Sequence, residues 1–171
     1  MARFTTLFVD RTATAAAEMA LVAPLLIALL FGSVETGNYF MTEHAVAKSV
    51  RDGARFGSRL PLLAGYTCPS TVNAVASTPI INVTKTGSVD GTATGRFPAS
   101  FWASACSPAT QSVTVTMRCV PKANYLGVWA GLGSDIPVVT VSADVPYTTL
   151  FGFSAGGLCM HATSEAPVSG I

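Results

Sequence analysis

Few side chains in this sequence have types and spacings that could do chemistry, and the first is Glu18. It is a lone carboxylate at the start of an uncharged run, Met19 to Val34. A carboxylate at the centre of a bilayer costs about 2.5 to 3.5 kcal/mol on insertion scales, so an acid in such a segment is a functional candidate. At the end of a span it can instead reach the headgroups as an ordinary interfacial charge. Four cysteines follow the run, Cys68, Cys106, Cys119 and Cys159, without Cys-x-x-Cys spacing, which argues against zinc or thioredoxin-like redox chemistry. An even number in an exported segment predicts two disulfides with three possible connectivities, the alternative being buried free thiols. Pairing Cys106 with Cys119 and Cys68 with Cys159 is the preferred map, because the first pair closes a short loop beside a predicted strand.

The remaining candidates are weaker. Of the two histidines, His44 follows Glu43 without the second His of a helical zinc motif and reads as a helix-surface residue, and His161 has no partner at ligand spacing. No Ser stands in a nucleophile elbow and no glycine loop carries a phosphate-binding Lys. Asp90, Asp135 and Asp144 are too scattered to make an acid/base pair. Asn82-Val83-Thr84 matches a glycosylation acceptor and reads as accidental. The expectation is a protein with no enzymatic activity, no metal and no cofactor.

The elements that position these residues follow from composition and period. At 171 residues the chain suits one domain of ordinary size plus an anchor. Charged residues make up 11% and apolar ones 50%, with a net charge of +1, which excludes the basic footprint of a nucleic-acid binder. Extending the uncharged run back across Glu18 to Thr12 gives the roughly twenty residues that cross a bilayer core. Arg3 and Arg11 favour a cytoplasmic N-terminus, against Lys48, Arg51, Arg55 and Arg59 farther along. A cleavable secretory signal is the competing reading, but Phe31-Gly32-Ser33 is a poor cleavage site and helical patterning continues past it. Val46, Val50, Gly53, Ala54, Gly57 and Leu60 share one face, and Lys48, Arg51, Asp52, Arg55 and Arg59 the other. The pattern predicts one nearly continuous helix from about Thr14 to Arg59, ended by Pro61, its first half in lipid and its second on a globular head. Pro24 within it removes a backbone hydrogen bond, which membrane helices tolerate.

After Pro61 the elements shorten. Thr71 to Ser77 reads as a short helix with Ser70 as N-cap, and Pro79 to Thr84 as a first strand. Gly87 to Pro108 reads as a loop whose Phe97, Phe101 and Trp102 are packing or contact residues. Gln111 to Val120 alternates most clearly as a strand, and Val138 to Tyr147 is its antiparallel partner. The insertion between them, Pro121 to Pro137, carries Tyr125, Val128 and Trp129 and is either an interaction loop or a lid on the sheet. The apolar, Gly-rich tail after Pro146 folds back before Cys159. The fold class is α+β, a long N-terminal helix on a small antiparallel sheet.

Arg3, Asp10 and Arg11, then Thr12 to Ala17, Glu18 and Met19 to Leu26 resemble the start of TadE-like proteins, pseudopilins or minor pilins of bacterial tight-adherence (Flp-type) pilus systems in the type IV pilin class. The similarity is also read through Ser49 to Phe56 and Val138 to Tyr147. The resemblance implies a pilin-like fold and a prepilin peptidase that cuts between Ala13 and Thr14, making Glu18 the fifth residue of the mature chain. Ala13 stands where the family prefers Gly, and Met19 where an aromatic is frequent. It implies a division into a cleaved leader (1–13), a transmembrane helix half (14–34), an amphipathic helix half (35–60) and a periplasmic β-rich head (61–171). It implies a single-pass protein of the inner membrane that can enter a pilus. Its partners would be the peptidase, other pilin-like subunits, the inner-membrane platform and membrane lipid, with no nucleic acid. In such a filament the Thr14 amine and Glu18 carboxylate neutralise each other and favour one register, because breaking a buried pair is costly. A break at Pro24 would allow close helix packing, or be no more than a tolerated kink. Trp102, Tyr125 and Trp129 are candidate head contacts. The rivals are a major pilin of the shaft and an unprocessed, membrane-anchored periplasmic binding or adhesion module.

Overall fold

The computed structural model describes residues 11–61, 65–68, 71–106, 108–122, 129, 135–152 and 157–170. The chain divides into two compact units, Met1–Phe40 with Thr149–Phe153, and Met41–Thr148 with Ser154–Ile171. Helix α1 (Arg11–Arg59) has residues in both and passes Pro24 without interruption. Its extent agrees with the helix read from the sequence.

In the second unit the apolar stripe on α1 is the buried one: Val46, Val50 and Ala54 are at most 1% exposed, while Lys48, Arg51, Arg55 and Arg59 face solvent. The segment that meets this stripe at Gly53 and Gly57 folds differently from expectation. Residues 74–86, read as the end of a short helix followed by a strand, form one helix, α2 (Ala74–Thr86). Asn73, not Ser70, is its N-cap, with Oδ1 accepting from the amides of Val75 (2.9 Å) and Ala76 (3.3 Å). Gly87, at φ 76°, closes it in the left-handed conformation that suits Gly. Ala76, Ile80 and Thr84 recur every fourth residue on its buried face. There Gly53 and Gly57 of α1 let the helices approach closely. A Cβ at Gly53 would collide with the Thr84 hydroxyl, and one at Gly57 would lie 2.9 Å from Ile80 Cδ1. Tyr66 completes the contact, donating its phenol to the Gly57 carbonyl at 2.7 Å.

Before α2 lies a two-residue ribbon, β1 (Tyr66–Thr67) with β2 (Thr71–Val72). The main sheet is antiparallel in the order β3 (Val113–Val120), β4 (Ile136–Pro146), β5 (Cys159–Pro167). The predicted pair is found, in a register that sets Val115 against Val141 and Met117 against Val139. Val139, Val141, Ala143 and Val145 are buried on β4, as its alternation requires. The tail after Pro146 does more than fold back: it returns as β5, with Met160 opposite Val145 and Ala166 opposite Val139.

The cysteines form Cys68–Cys119 and Cys106–Cys159, so the preferred pairing is corrected. The cause is β5. Its register puts Cys159 beside Pro146, while the Cys106 amide donates to the carbonyl of Asp144 at 3.3 Å, so those two cysteines meet at one end of β4. Cys119 lies near the opposite end of β3, opposite Pro137, and meets Cys68 from the ribbon.

Candidate functional site: the apolar half of the first helix

In the first unit the same helix presents its hydrophobic side chains outward. Leu21 is 80% exposed, Leu25 61% and Leu29 62%. This is a helix long and apolar enough to cross a membrane, with a mean hydropathy of 2.1 over its best window. Two hydroxyls here are satisfied within the helix. The Ser33 hydroxyl donates to the Leu30 carbonyl and that of Thr36 to the Gly32 carbonyl, each at 2.8 Å, so neither needs water. Glu18 is exposed and is the one ionisable side chain between Thr12 and Val34.

Ala20, Pro24, Ala28 and Gly32 fall at intervals of four and line one shallow apolar groove with Ile27 and Phe31. A row of small residues at this spacing lets a second helix backbone come close. The row was legible in the sequence as small-x-x-x-small spacing, but sequence reasoning singled out only Pro24. Glu18 and Pro24 are six residues apart, which puts them on different sides of the helix. Thr14 is one turn before Glu18 on the same side by backbone period, and Ala13 also lies in the helical backbone. Farther along, the Leu150 amide donates to both Glu35 carboxylate oxygens at 3.2 Å, and the Phe151 ring meets Phe31 edge-on with centroids 4.8 Å apart.

Residues 13–55 match the TadE-like protein family. This TadE-like segment covers α1 almost to its end and none of the sheet, so the similarity read at Val138 to Tyr147 lies outside it. The match suggests involvement with the Tad/Flp pilus. It also takes in both the exposed apolar half of α1 and the buried residues Val46, Val50 and Ala54. No curated protein and no solved structure matches the chain.

The other predicted sites fall in the second unit. Trp102 is a packing residue, 5% exposed and edge-on to Phe97 and Phe101, so it offers little surface to a partner. Trp129 is half-buried, and its indole N–H donates to the Val168 carbonyl at 3.0 Å. Tyr125 lies outside the described residues. Asp144 and His161 are cross-strand neighbours, and the carboxylate pairs with the ring Nδ1. Arg118 pairs with Glu165 at 2.8 Å, and that hydrogen bond draws the Glu165 carboxyl below its usual range. Among the described residues, no three His, Cys, Asp or Glu side chains converge to hold a metal.

Proposed function

We propose that this protein is a pilin-like subunit, a minor pilin or pseudopilin, that assembles or primes a tight-adherence pilus. In this reading it works by helix packing and head contacts and performs no reaction. The observation that carries it is Glu18, the single ionisable group between Thr12 and Val34 in the exposed apolar half of α1, within the TadE-like segment. The small-residue row from Ala20 to Gly32 supports it, since it leaves room for a second helix against the first.

Cleavage between Ala13 and Thr14 would place a new amine one turn, about 6 Å along the axis, from Glu18. In a bundle of such helices the amine and carboxylate of neighbouring subunits would neutralise each other, and a slipped register would strand both in an apolar interior. The partners on this reading are a prepilin peptidase, other pilin-like subunits, the inner-membrane platform and lipid. The N-terminus would be cytoplasmic and the head periplasmic.

The test is the N-terminal residue of the membrane-extracted protein, read by mass spectrometry of its terminal peptide, together with filament yield for Glu18→Gln. A start at Thr14 with loss of filaments is the expected result. A start at Met1 or Ala2, with Glu18→Gln indistinguishable from wild type, would favour a static periplasmic binding module on a membrane anchor.

A further inference from the structure

The connection between β4 and β5 is uncharged from Val145 to Met160, although it lies between Asp144 and His161. Part of it, Thr149–Phe153, belongs to the same unit as the apolar half of α1. Two contacts fix its level along the helix. The Leu150 amide donates to the Glu35 carboxylate, and the Phe151 ring packs against Phe31.

That level can be placed in a bilayer. Twenty helical residues at about 1.5 Å each span about 30 Å, the thickness of the hydrocarbon core. Residues 15–34 therefore fill it, and Glu35, the first charge after the run, stands at its boundary. Phe31 is one turn deeper, about 6 Å. A segment attached at Glu35 and Phe31 sits at the junction of headgroups and acyl chains. There it presents Leu150, 58% exposed, and Phe151, 39% exposed. Gly152, at φ 70°, adopts the left-handed conformation that suits Gly. Non-helical backbone is costly in the hydrocarbon itself, but at the junction water and headgroups satisfy it, and the Leu150 amide already has Glu35.

We propose that Thr149–Gly152 is a second membrane contact, an apolar tip that inserts beside the helix into the leaflet at its Glu35 end. The proposal rests on the spanning reading of α1. The tip would set the depth of the helix, since sliding the span inward or outward would drag Leu150 and Phe151 into the core or into water.

The test places the photocrosslinker p-benzoylphenylalanine in the full chain at Leu150, with parallel insertions at Leu25 in the span and at Val89, an exposed residue of the other unit. Each is reconstituted in phosphatidylethanolamine/phosphatidylglycerol vesicles with radiolabelled phospholipid, and non-reducing mass spectrometry checks that both disulfides have formed. Irradiation should give phospholipid adducts at Leu25, in the core, and at Leu150, at the acyl boundary, each roughly tenfold above Val89. Lipid labelling at Leu25 with none at Leu150, or with protein adducts there instead, overturns the proposal and leaves the span intact. Absence of lipid adducts at both positions overturns the spanning reading and the proposal with it.

Discussion

Four glycines of α1 separate its two halves as clearly as the hydrophobic residues do. Gly32 and Gly37 have nothing within 4 Å of where a Cβ would stand, whereas Gly53 and Gly57 are pressed against Thr84 and Ile80. Val46 is fully buried and Leu21 is 80% exposed, on one helix and with similar chemistry. In the second half, small residues let the chain's own α2 approach. In the first, an equally small row at Ala20, Pro24, Ala28 and Gly32 has space in front of it, and its large neighbours face outward. The difference teaches that the second half is adapted to an intramolecular partner and the first to an apolar surrounding, which among the described residues only Phe151 begins to supply.

The comparison is most severely tested by removing the disulfides, both of which lie in the second unit. Each closes a loop of more than fifty residues, for separations of 51 and 53. Loop entropy alone gives about 4 kcal/mol for a loop of that length. Reduction should therefore abolish the cooperative near-ultraviolet transition of the head in detergent and leave most of the helical far-ultraviolet signal of the apolar half. Loss of both signals together would show that the halves are one cooperative unit.

A sharper test exchanges single glycines. Gly53→Ala must push Thr84 away, an overpacking cost of about 1 to 3 kcal/mol that exceeds the roughly 1 kcal/mol by which Ala outranks Gly in a helix. Gly37→Ala meets open space and keeps that propensity gain. Thermal midpoints in detergent should fall for the first and hold or rise slightly for the second. A fall for both would mean that Gly37 is packed against something in solution.

How far the sequence disclosed this architecture depended on the kind of signal. The stripe on α1 was legible because Val46, Val50 and Ala54 follow the helical period and Pro61 ends it. The β3–β4 pair was legible because valines alternate with threonine and serine. Helix α2 is not legible as one helix because Pro79 stands in its second turn, beyond the first-turn amides that have no helical partner, and the stretch from Pro79 to Thr84 reads as a strand. Its signal was present in Asn73 and Gly87 as caps and in Ala76, Ile80 and Thr84 four residues apart. Strand β5 gave no such signal: Ala, Ser, Glu and His in an edge strand bury little, and what places it is long-range, the pairing with β4 and the Cys106–Cys159 disulfide. The disulfide map failed with it. In the candidate site Glu18 and Pro24 were visible, but the contact of Glu35 with Leu150 spans 115 residues, and no local pattern encodes it.

A smaller effect is expected where Tyr66 joins α1. Burial pushes its phenol up from 10.0 to about 12, so the neutral form is the one the fold favours. The stabilisation is complete below pH 10 and is lost as pH rises through 12, because the unfolded chain releases its proton first. Tyr66→Phe should cost about 1 kcal/mol at neutral pH, the worth of one hydrogen bond, and flatten the alkaline fall in stability. The Gly57 carbonyl keeps a second donor, the Leu60 amide at 3.2 Å, which limits the loss. An unchanged alkaline limb in denaturant titrations would remove Tyr66 from the contact.

The smallest effect belongs to Asp90, in the turn after α2, and has the opposite sign in pH. Hydrogen bonds from the Ser88 and Thr92 hydroxyls and the Thr92 amide hold its carboxyl at about 2, below the ordinary 3.8. Here the charged form is favoured, so the contribution is complete above 3.8 and is lost as pH falls through about 2. The carboxylate is fully exposed, and water competes for every one of these bonds, so the turn should loosen without unfolding the unit. Carbon-detected NMR should show the Asp90 carboxyl titrating near 2, and Asp90→Asn should leave the thermal midpoint near that of wild type at pH 7. A midpoint shift as large as that of Gly53→Ala would mean that this turn helps hold α2 against α1. Stability in the second unit would then depend on charges in water as well as on the close approach of two helices.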